Sequence, residues 1–221
     1  MVQTTVQVVV NDSCHIMMSS VAVIGAGPQG LVTAKNLVEE GFQVTIFEAR
    51  PSIGGLWQYR EDAKWTSVLP STLGNVSKYR NCFTDYPAQD DAPLHMRSRQ
   101  TMDYIGCYAT KFGLGKYVQL DTRVKEVLRS ANGQQWQLRL SKTGAVETLA
   151  FDKVVLTTGI NNLSNMPELV GRELFKGTIS HSQAFKKASD YEGKSVLVLG
   201  AGTTAADTAC ELVGHAKRVY F

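Results

Sequence analysis

The sequence predicts an α/β protein made of two units that share one strand, glycine turn, helix and strand design. Three observations carry that prediction. Short all-apolar runs such as "VAVI" (Val21 to Ile24) read as parallel strands buried on both faces. Two of these runs open directly onto a glycine-rich turn and an amphipathic helix. The two stretches also superimpose without a gap: "VLVLGAGTTAADTACELVGHAKRVYF" (Val196 to Phe221) falls on "VAVIGAGPQGLVTAKNLVEEGFQVTIFEAR" (Val21 to Arg50) at a shift of 175 residues. At that shift Glu48 has no counterpart, because the chain stops at Phe221.

In chain order, Val21 to Ile24 is the first strand, and Gly25-Ala26-Gly27-Pro28-Gln29-Gly30 the turn that follows. Leu31, Ala34, Leu37 and Val38 recur at helical spacing, Gly41 stops that helix, and Val44 to Phe47 forms the second strand. A right-handed βαβ unit joins two such strands. The stretch "PSIGGLWQYREDAKWTSVLPSTLGNVSKYRNCFTDYPAQDDAP" is aromatic, glycine-rich and polar, with little periodicity. It is long for a connector and reads as a functional excursion over a site. "SRQTMDYIGCYATKFGL" returns to helical spacing, and "QWQLRLS" with "ETLAFD" predicts an antiparallel hairpin turned near Lys142 to Gly144. "KVVLTTG" reads as another buried strand, "NNLSNMPELVG" as linker, and Ser195 to Leu199 opens the second unit.

Composition narrows the function. The 221 residues are 43% hydrophobic, ample for a sizeable core, and a net charge of +3 with 19% charged residues argues against nucleic acid as a partner. No apolar run is long enough to span a membrane. Residues 1–20 lack a basic region, and Asn11, Asp12 and His15 break their apolar stretch. They read as an accessory strand or mobile tail rather than a secretory signal. Cys14, Cys82, Cys107 and Cys210 fit neither a zinc site nor a disulfide framework. They point to a reducing, cytoplasmic setting and count against a disulfide reductase.

The first glycine motif has a defined physical task. Gly25 permits a tight turn, Gly27 lets the backbone approach a pyrophosphate, and Gly30 lets the helix pack closely on the sheet. Pro28 and Gln29 open the helix, whose amino end favours phosphate. Glu48 stands 18 residues after Gly30, where its carboxylate can accept hydrogen bonds from ribose hydroxyls. A carboxylate there repels a 2′-phosphate, so the site suits FAD or NAD rather than NADP. In the second motif Gly200 and Gly202 keep their roles, Thr203 and Thr204 follow, and Ala205 replaces the third glycine. Asp207 is expected early in the helix, where a carboxylate suits the dipole. Two dinucleotide sites predict a two-cofactor flavoprotein.

Four motifs in this order resemble the class B flavin-containing monooxygenases. They are "GAGPQG" with Glu48; "GGLW" (Gly54, Gly55, Leu56 and Trp57); "SVLPSTLGNVSKYRNCFTDYP" with Asn75, Lys78 and Asp85-Tyr86-Pro87; and "FKGTISHSQAF" with Phe175, Gly177, His181 and Phe185. The resemblance runs from Val21 to Phe221. It implies a Rossmann-like FAD-binding domain over 21–161, with a β-hairpin excursion, after an extension over 1–20. A linker over 162–166 leads to an incomplete Rossmann-like NADPH-binding domain over 167–221. It further implies that NADPH reduces FAD, that O2 adds at the flavin C4a, and that the C4a-hydroperoxyflavin oxygenates a soft nitrogen or sulfur nucleophile of a small-molecule substrate. By similarity, Asn75 is the candidate catalytic residue at the flavin–nicotinamide face, and Gly55, Leu56 and Trp57 belong to the cofactor site.

Simpler readings stand beside these. On the residues alone, Asn75 is a turn former, His181 a structural hydrogen bonder, Lys78 and Arg80 a solvated edge, and Asp85 a turn residue without chemistry. Trp57, Tyr79, Phe83 and Tyr86 read as packing around the isoalloxazine. The arginines that read the NADP 2′-phosphate in the family lie past the second strand, so the choice of NADPH is carried by the resemblance. The chain's end leads to the expectation of a piece of a larger enzyme or one needing a second chain with a C-terminal half. Two rival readings are a Baeyer–Villiger monooxygenase, which prefers Trp where Phe185 stands, and a fragment that binds nucleotide without turnover.

Overall fold

A computed structural model describes residues 18–221. Cys14 and nearly all of the expected N-terminal strand or tail lie outside the described residues. In chain order the elements are β1 (Ser20–Ile24), α1 (Pro28–Glu39), β2 (Gln43–Phe47), α2 (Lys78–Asn81), α3 (Ser98–Lys111), β3 (Val118–Gln119), β4 (Thr122–Arg129), β5 (Trp136–Lys142), β6 (Ala145–Phe151), β7 (Lys153–Leu156), β8 (Ser195–Leu197), α4 (Thr203–Leu212) and β9 (Arg218–Tyr220).

The sheet holding the first glycine motif is parallel, with strand order β3-β2-β1-β7. Strand β1 buries both faces because alternate side chains point to opposite sides. Val21 and Val23 pack with Leu31 and Ala34 of α1 and with Ile105, Tyr108 and Ala109 of α3. Ala22 and Ile24 pack with Phe47, Leu138, Leu140 and Phe151, on the side covered by a second sheet. The result is three layers: helices, parallel sheet, antiparallel sheet. Pro28 begins α1 with its φ already helical, and Gly41 at φ +81° ends it.

The antiparallel sheet has the order β4-β5-β6. The expected hairpin joins β5 to β6 through Thr143 (φ 48°) and Gly144 (φ 90°), the left-handed pair that matches strand twist. Strand β4 was not expected from the sequence. Its pairing with β5 slips between Val124 and Glu126, so Lys125 is an unpaired extra residue that breaks the period-2 pattern. Val124 and Val127, three apart, therefore share the core face. The buried strand expected in "KVVLTTG" is instead half-buried: among the described residues β7 pairs with β1 alone, and Leu156 is 68% exposed.

In the second unit β8 pairs with β9 in parallel, Ser195 opposite Arg218. Both positions are shifted by 175 from the pair Ser20 and Gln43, so the register of the repeat is conserved in space. Burial is not. Ala22 and Ile24 are 0% and 9% exposed, while their counterparts Leu197 and Leu199 are 62% and 67% exposed. Phe185, Ala188 and Leu212 form a small core of their own, with Leu69 of the excursion against it.

Among the described residues no helix is long and apolar enough to cross a membrane, no cluster suits a metal ion, and Cys82, Cys107 and Cys210 are free.

Candidate functional site

The first glycine turn stands at the carboxyl end of β1, between β2 and β7. The chain leaves β1 toward β2 and β3 and returns to its other side at β7, so this is the sheet's topological switch point, where open α/β sheets bind ligands. Gly25 has φ +111°, and a Cβ there would lie 2.5 Å from the carbonyl oxygen of Thr157. A Cβ on Gly30 would lie 1.9 Å from the Gly25 carbonyl oxygen. Both glycines are thus required by backbone contacts, Gly25 with the segment past β7 and Gly30 within the turn. Thr157, just past β7, donates its hydroxyl to the Ile24 and Gly25 carbonyls at 2.9 and 3.0 Å. The sequence reading missed this tie, because nothing in "LTTG" distinguishes its two threonines.

The amino end of α1 is open. Its N-cap, Gly27, has no side chain to bond the first turn, and no acidic residue stands there. The first intrahelical bond comes from Leu31 N–H to Gly27 O at 3.0 Å. Pro28 has no N–H, so Gln29 and Gly30 carry the unused donors, a ready anion site. The excursion returns to this turn. Gly54, at φ +102°, donates its N–H to Ala26 O at 2.9 Å. A Cβ on Gly55 would lie 3.1 Å from Gly27 Cα. Leu56 accepts from Val68 N–H at 3.0 Å, and Trp57 packs against the helix-side core.

Glu48 is 7% exposed, and its two oxygens accept from Ala26 N–H at 2.8 Å and Arg50 N–H at 2.9 Å. The carboxylate therefore braces the glycine turn directly, which the sequence did not reveal. Each oxygen keeps a further lone pair that can accept a hydroxyl. Arg50, also unexpected, is buried and donates to Gly55 O and Thr66 O at 2.9 Å each. Burial lowers its pKa, partly offset by Glu48.

Asn75 lies exposed on a turn ahead of α2, and its side-chain amide makes no hydrogen bond among the described residues. The solvated edge expected at Lys78 is a correction: Lys78 is 5% exposed, and its ammonium donates to the carbonyls of Gln89, Asp90 and Ala92 at 3.1, 2.7 and 2.7 Å. Arg80 is exposed as expected. The aromatic cluster also differs. Phe83 and Tyr86 pack on Tyr104 and Tyr108 of α3, and Tyr79 is 74% exposed. Tyr104 donates to Tyr86 O and accepts from Phe83 N–H, and burial pushes its pKa up to about 12. Asp85 pairs with the buried Lys35 at 2.6 Å, and that bond lowers the Asp85 pKa and raises that of Lys35. His181 is structural, accepting Gln183 N–H at 3.1 Å to cap a short 3-10 turn.

The second glycine turn repeats the first. Gly200 has φ +139°, Gly202 is the N-cap of α4 without a side-chain bond, and Thr203 and Thr204 begin the helix. Ala205 stands where the first turn has Gly30, and a Cβ built on Gly200 would meet the Ala205 Cβ at 3.6 Å, an ordinary contact. Asp207 falls outside the first turn, which holds no acid, so the expected dipole pairing is not made. The segment ahead of this unit is fastened to the excursion. Buried Lys186 donates to Trp65 O at 2.8 Å and Ser67 Oγ at 3.2 Å, Tyr59 donates to Lys186 O, and Lys187 pairs with Glu61. A cavity of about 450 Å³ lies at the amino ends of β1 and β2, lined by Ser20, Gln43 and Phe151, and touches neither glycine turn.

Comparison with known proteins follows the same architecture. The family model for flavin-binding monooxygenase-like proteins matches residues 18–221. Monooxygenase aurF of Gibberella zeae is 42% identical over 203 residues, 91% of this chain and 38% of that protein. Rabbit (Oryctolagus cuniculus) N-oxide-forming dimethylaniline monooxygenase 2 is 37% identical over 211 residues, 92% of this chain and 39% of that protein. The solved S-allyl-L-cysteine S-oxygenase of Allium sativum superimposes with a TM-score of 0.83 at 27% identity, covering 91% of this chain and 50% of that one. The chain thus spans about two-fifths of the length of the curated relatives it matches.

Proposed function

Because the chain belongs to the flavin-binding monooxygenase-like family, we propose that it forms the flavin-holding part of an FAD- and NADPH-dependent monooxygenase acting on soft nitrogen or sulfur centres of small molecules, with O2 as co-substrate. One observation carries this reading: the Gly25 to Gly30 turn stands at the switch point with unused N–H groups, braced by Glu48. These residues fit a dinucleotide, since a helix start without cap or acid leaves donors for a pyrophosphate. Heteroatom oxygenation is favoured by the relatives, whose names describe N-oxide formation and S-oxygenation.

When bound, the flavin accepts electrons from the nicotinamide and activates O2, chemistry that side chains lack. The chain's own residues bind and orient. Gln29 and Gly30 N–H hold the pyrophosphate, Gly27 and Gly55 keep the approach clear, and Leu56 and Trp57 wall the cofactor. Glu48 receives ribose hydroxyls on its remaining lone pairs. Asn75 offers an uncharged amide donor, which stabilises developing negative charge without releasing a proton. Gly200, Gly202, Thr203 and Thr204 cradle the NADPH pyrophosphate. We assign flavin binding to 21–161, the linker to 162–166 and nicotinamide binding to 167–221. Turnover is assigned to these parts together with the elements that the relatives carry outside the match, in the same polypeptide or in a second one. The free thiols Cys82, Cys107 and Cys210 support a reducing, cytoplasmic setting.

The test is the visible spectrum of the purified chain with and without added FAD. A bound oxidised flavin, lost in Glu48→Arg, supports the reading; a chain that stays colourless with FAD overturns it. With NADPH and a tertiary amine or thioether, the complete assembly is expected to give a product heavier by one oxygen atom.

A further inference from the structure

An ammonium group has three N–H donors and no acceptor. At Lys78 all three are directed at main-chain carbonyls, those of Gln89, Asp90 and Ala92, inside a residue that is 5% exposed. Lys78 makes no ion pair among the described residues. The three oxygens therefore form a shell around a cation that belongs to the chain itself. Gln89 O also accepts Ala92 N–H at 3.0 Å, so removing the cation would take the ammonium donor from Asp90 O and Ala92 O and one of two donors from Gln89 O.

The shell is connected to Asn75 at short range. The turn bearing Asn75 is bonded to the segment that follows the shell: Gly74 N–H donates to Met96 O at 2.9 Å, His95 Nδ1 meets Gly74 O at 2.9 Å, and Lys78 N–H donates to Leu94 O at 2.7 Å. Ser98 N–H donates to Thr72 O at 2.9 Å, and Leu73 bridges Arg97. The two strips of chain thus form a ladder, with Asn75 at one side and the Lys78 shell at its end. A cavity of about 310 Å³ lined by Gln89, Asp91, Ala92 and Met96 lies beside the shell, so the loop has room to open when the cation is removed.

We propose that Lys78 is a positioning residue: its ammonium is an internal cation that closes residues 89–92 and so fixes the turn on which Asn75 stands. The clamp is independent of chemistry; its consequence for oxygen transfer rests on the reading of Asn75 given above.

The test is amide hydrogen exchange on the flavin-loaded protein, comparing wild type with Lys78→Ala. Exchange is expected to quicken by roughly tenfold or more at residues 74, 78 and 98, whose N–H groups form the ladder, and at Ala92 within the loop, because hydrogen bonds to a charged group are the strong class. Strand β1 and helix α1 keep their wild-type rates. Added ethylammonium restores protection by refilling the shell, and ethanol does not. Acceleration confined to 89–92, no acceleration, or acceleration spread evenly through β1 and α1 overturns the proposal. Should Lys78→Ala fail to fold, Lys78→Gln, which can still donate two hydrogen bonds, is read in the same way and is expected to fall between.

The second arm is the fraction of NADPH electrons released as hydrogen peroxide by the complete assembly. Lys78→Ala and Asn75→Ala are each expected to raise it, and the double variant to raise it no further than Asn75→Ala. A rise in Asn75→Ala without one in Lys78→Ala sinks the positioning role. No rise in Asn75→Ala sinks the reading of Asn75, and the exchange result then decides the clamp.

Discussion

Glu48 shows how much one carboxylate can join. Its two oxygens hold the N–H groups of Ala26 and Arg50, so the acid we propose for the ribose also fixes the glycine turn. In Glu48→Gln one oxygen becomes an NH2 that faces a backbone donor. This variant is expected to lose about 1–3 kcal/mol of stability and to bind FAD at least about tenfold more weakly, read by thermal melting and flavin titration. At Gly30 the packing leaves no room for a methyl group, since it would meet the Gly25 carbonyl at 1.9 Å. Gly30→Ala is therefore expected to destabilise by about 1–3 kcal/mol or more, whereas the second unit already carries Ala205 at the matching position. Asp85 gives a pH dependence. Its pKa is lowered by Lys35 from the ordinary 3.8, so its contribution to stability is present above that pKa and is lost as pH falls through the folded value. The melting temperature is expected to fall more steeply with acid in wild type than in Asp85→Asn.

At the scale of elements, strand β4 depends on its bulge. Lys125 is the unpaired residue, with Val124 and Val127 facing the core on either side. Deleting Lys125 restores regular pairing and leaves both valines inward, so the variant is expected to fold with a melting temperature close to wild type. By contrast Leu138, on the facing strand, is fully buried between the two sheets. Leu138→Ala is expected to cost about 2–5 kcal/mol through lost contacts and a cavity, measured by chemical denaturation. If Lys125 deletion proves as damaging as Leu138→Ala, the bulge is required rather than merely accommodated.

At the scale of the molecule, the second unit reaches the excursion through few bonds among the described residues, two of them from the buried Lys186. Burial, with Arg50 next, lowers the Lys186 pKa, and the Asp62 carboxylate opposes that shift. Lys186→Met keeps the apolar stem and removes both bonds. Protease cleavage within 159–181 is expected to quicken, with flavin binding at the first turn unchanged. Equal cleavage in the two proteins would show that the small core around Phe185 and Leu212 holds the unit in place without Lys186.

The sequence by itself determined the repeated unit, its strands and helices, the hairpin turn and both glycine turns. These depend on local rules: apolar periodicity, positive φ at glycine, and a helix start without a cap. Lys78, Arg50 and Thr157 were opaque to that reading, because their partners are backbone carbonyls, which every residue carries and no sequence pattern marks. The bulge at Lys125 hid a strand for a related reason, since pairing with β5 rather than alternation sets its inward face. Only the tertiary structure decided which charges are buried and which turns are braced. Burial and long-range hydrogen bonds belong to the packed chain, whereas turn geometry and periodicity are already present in the residues.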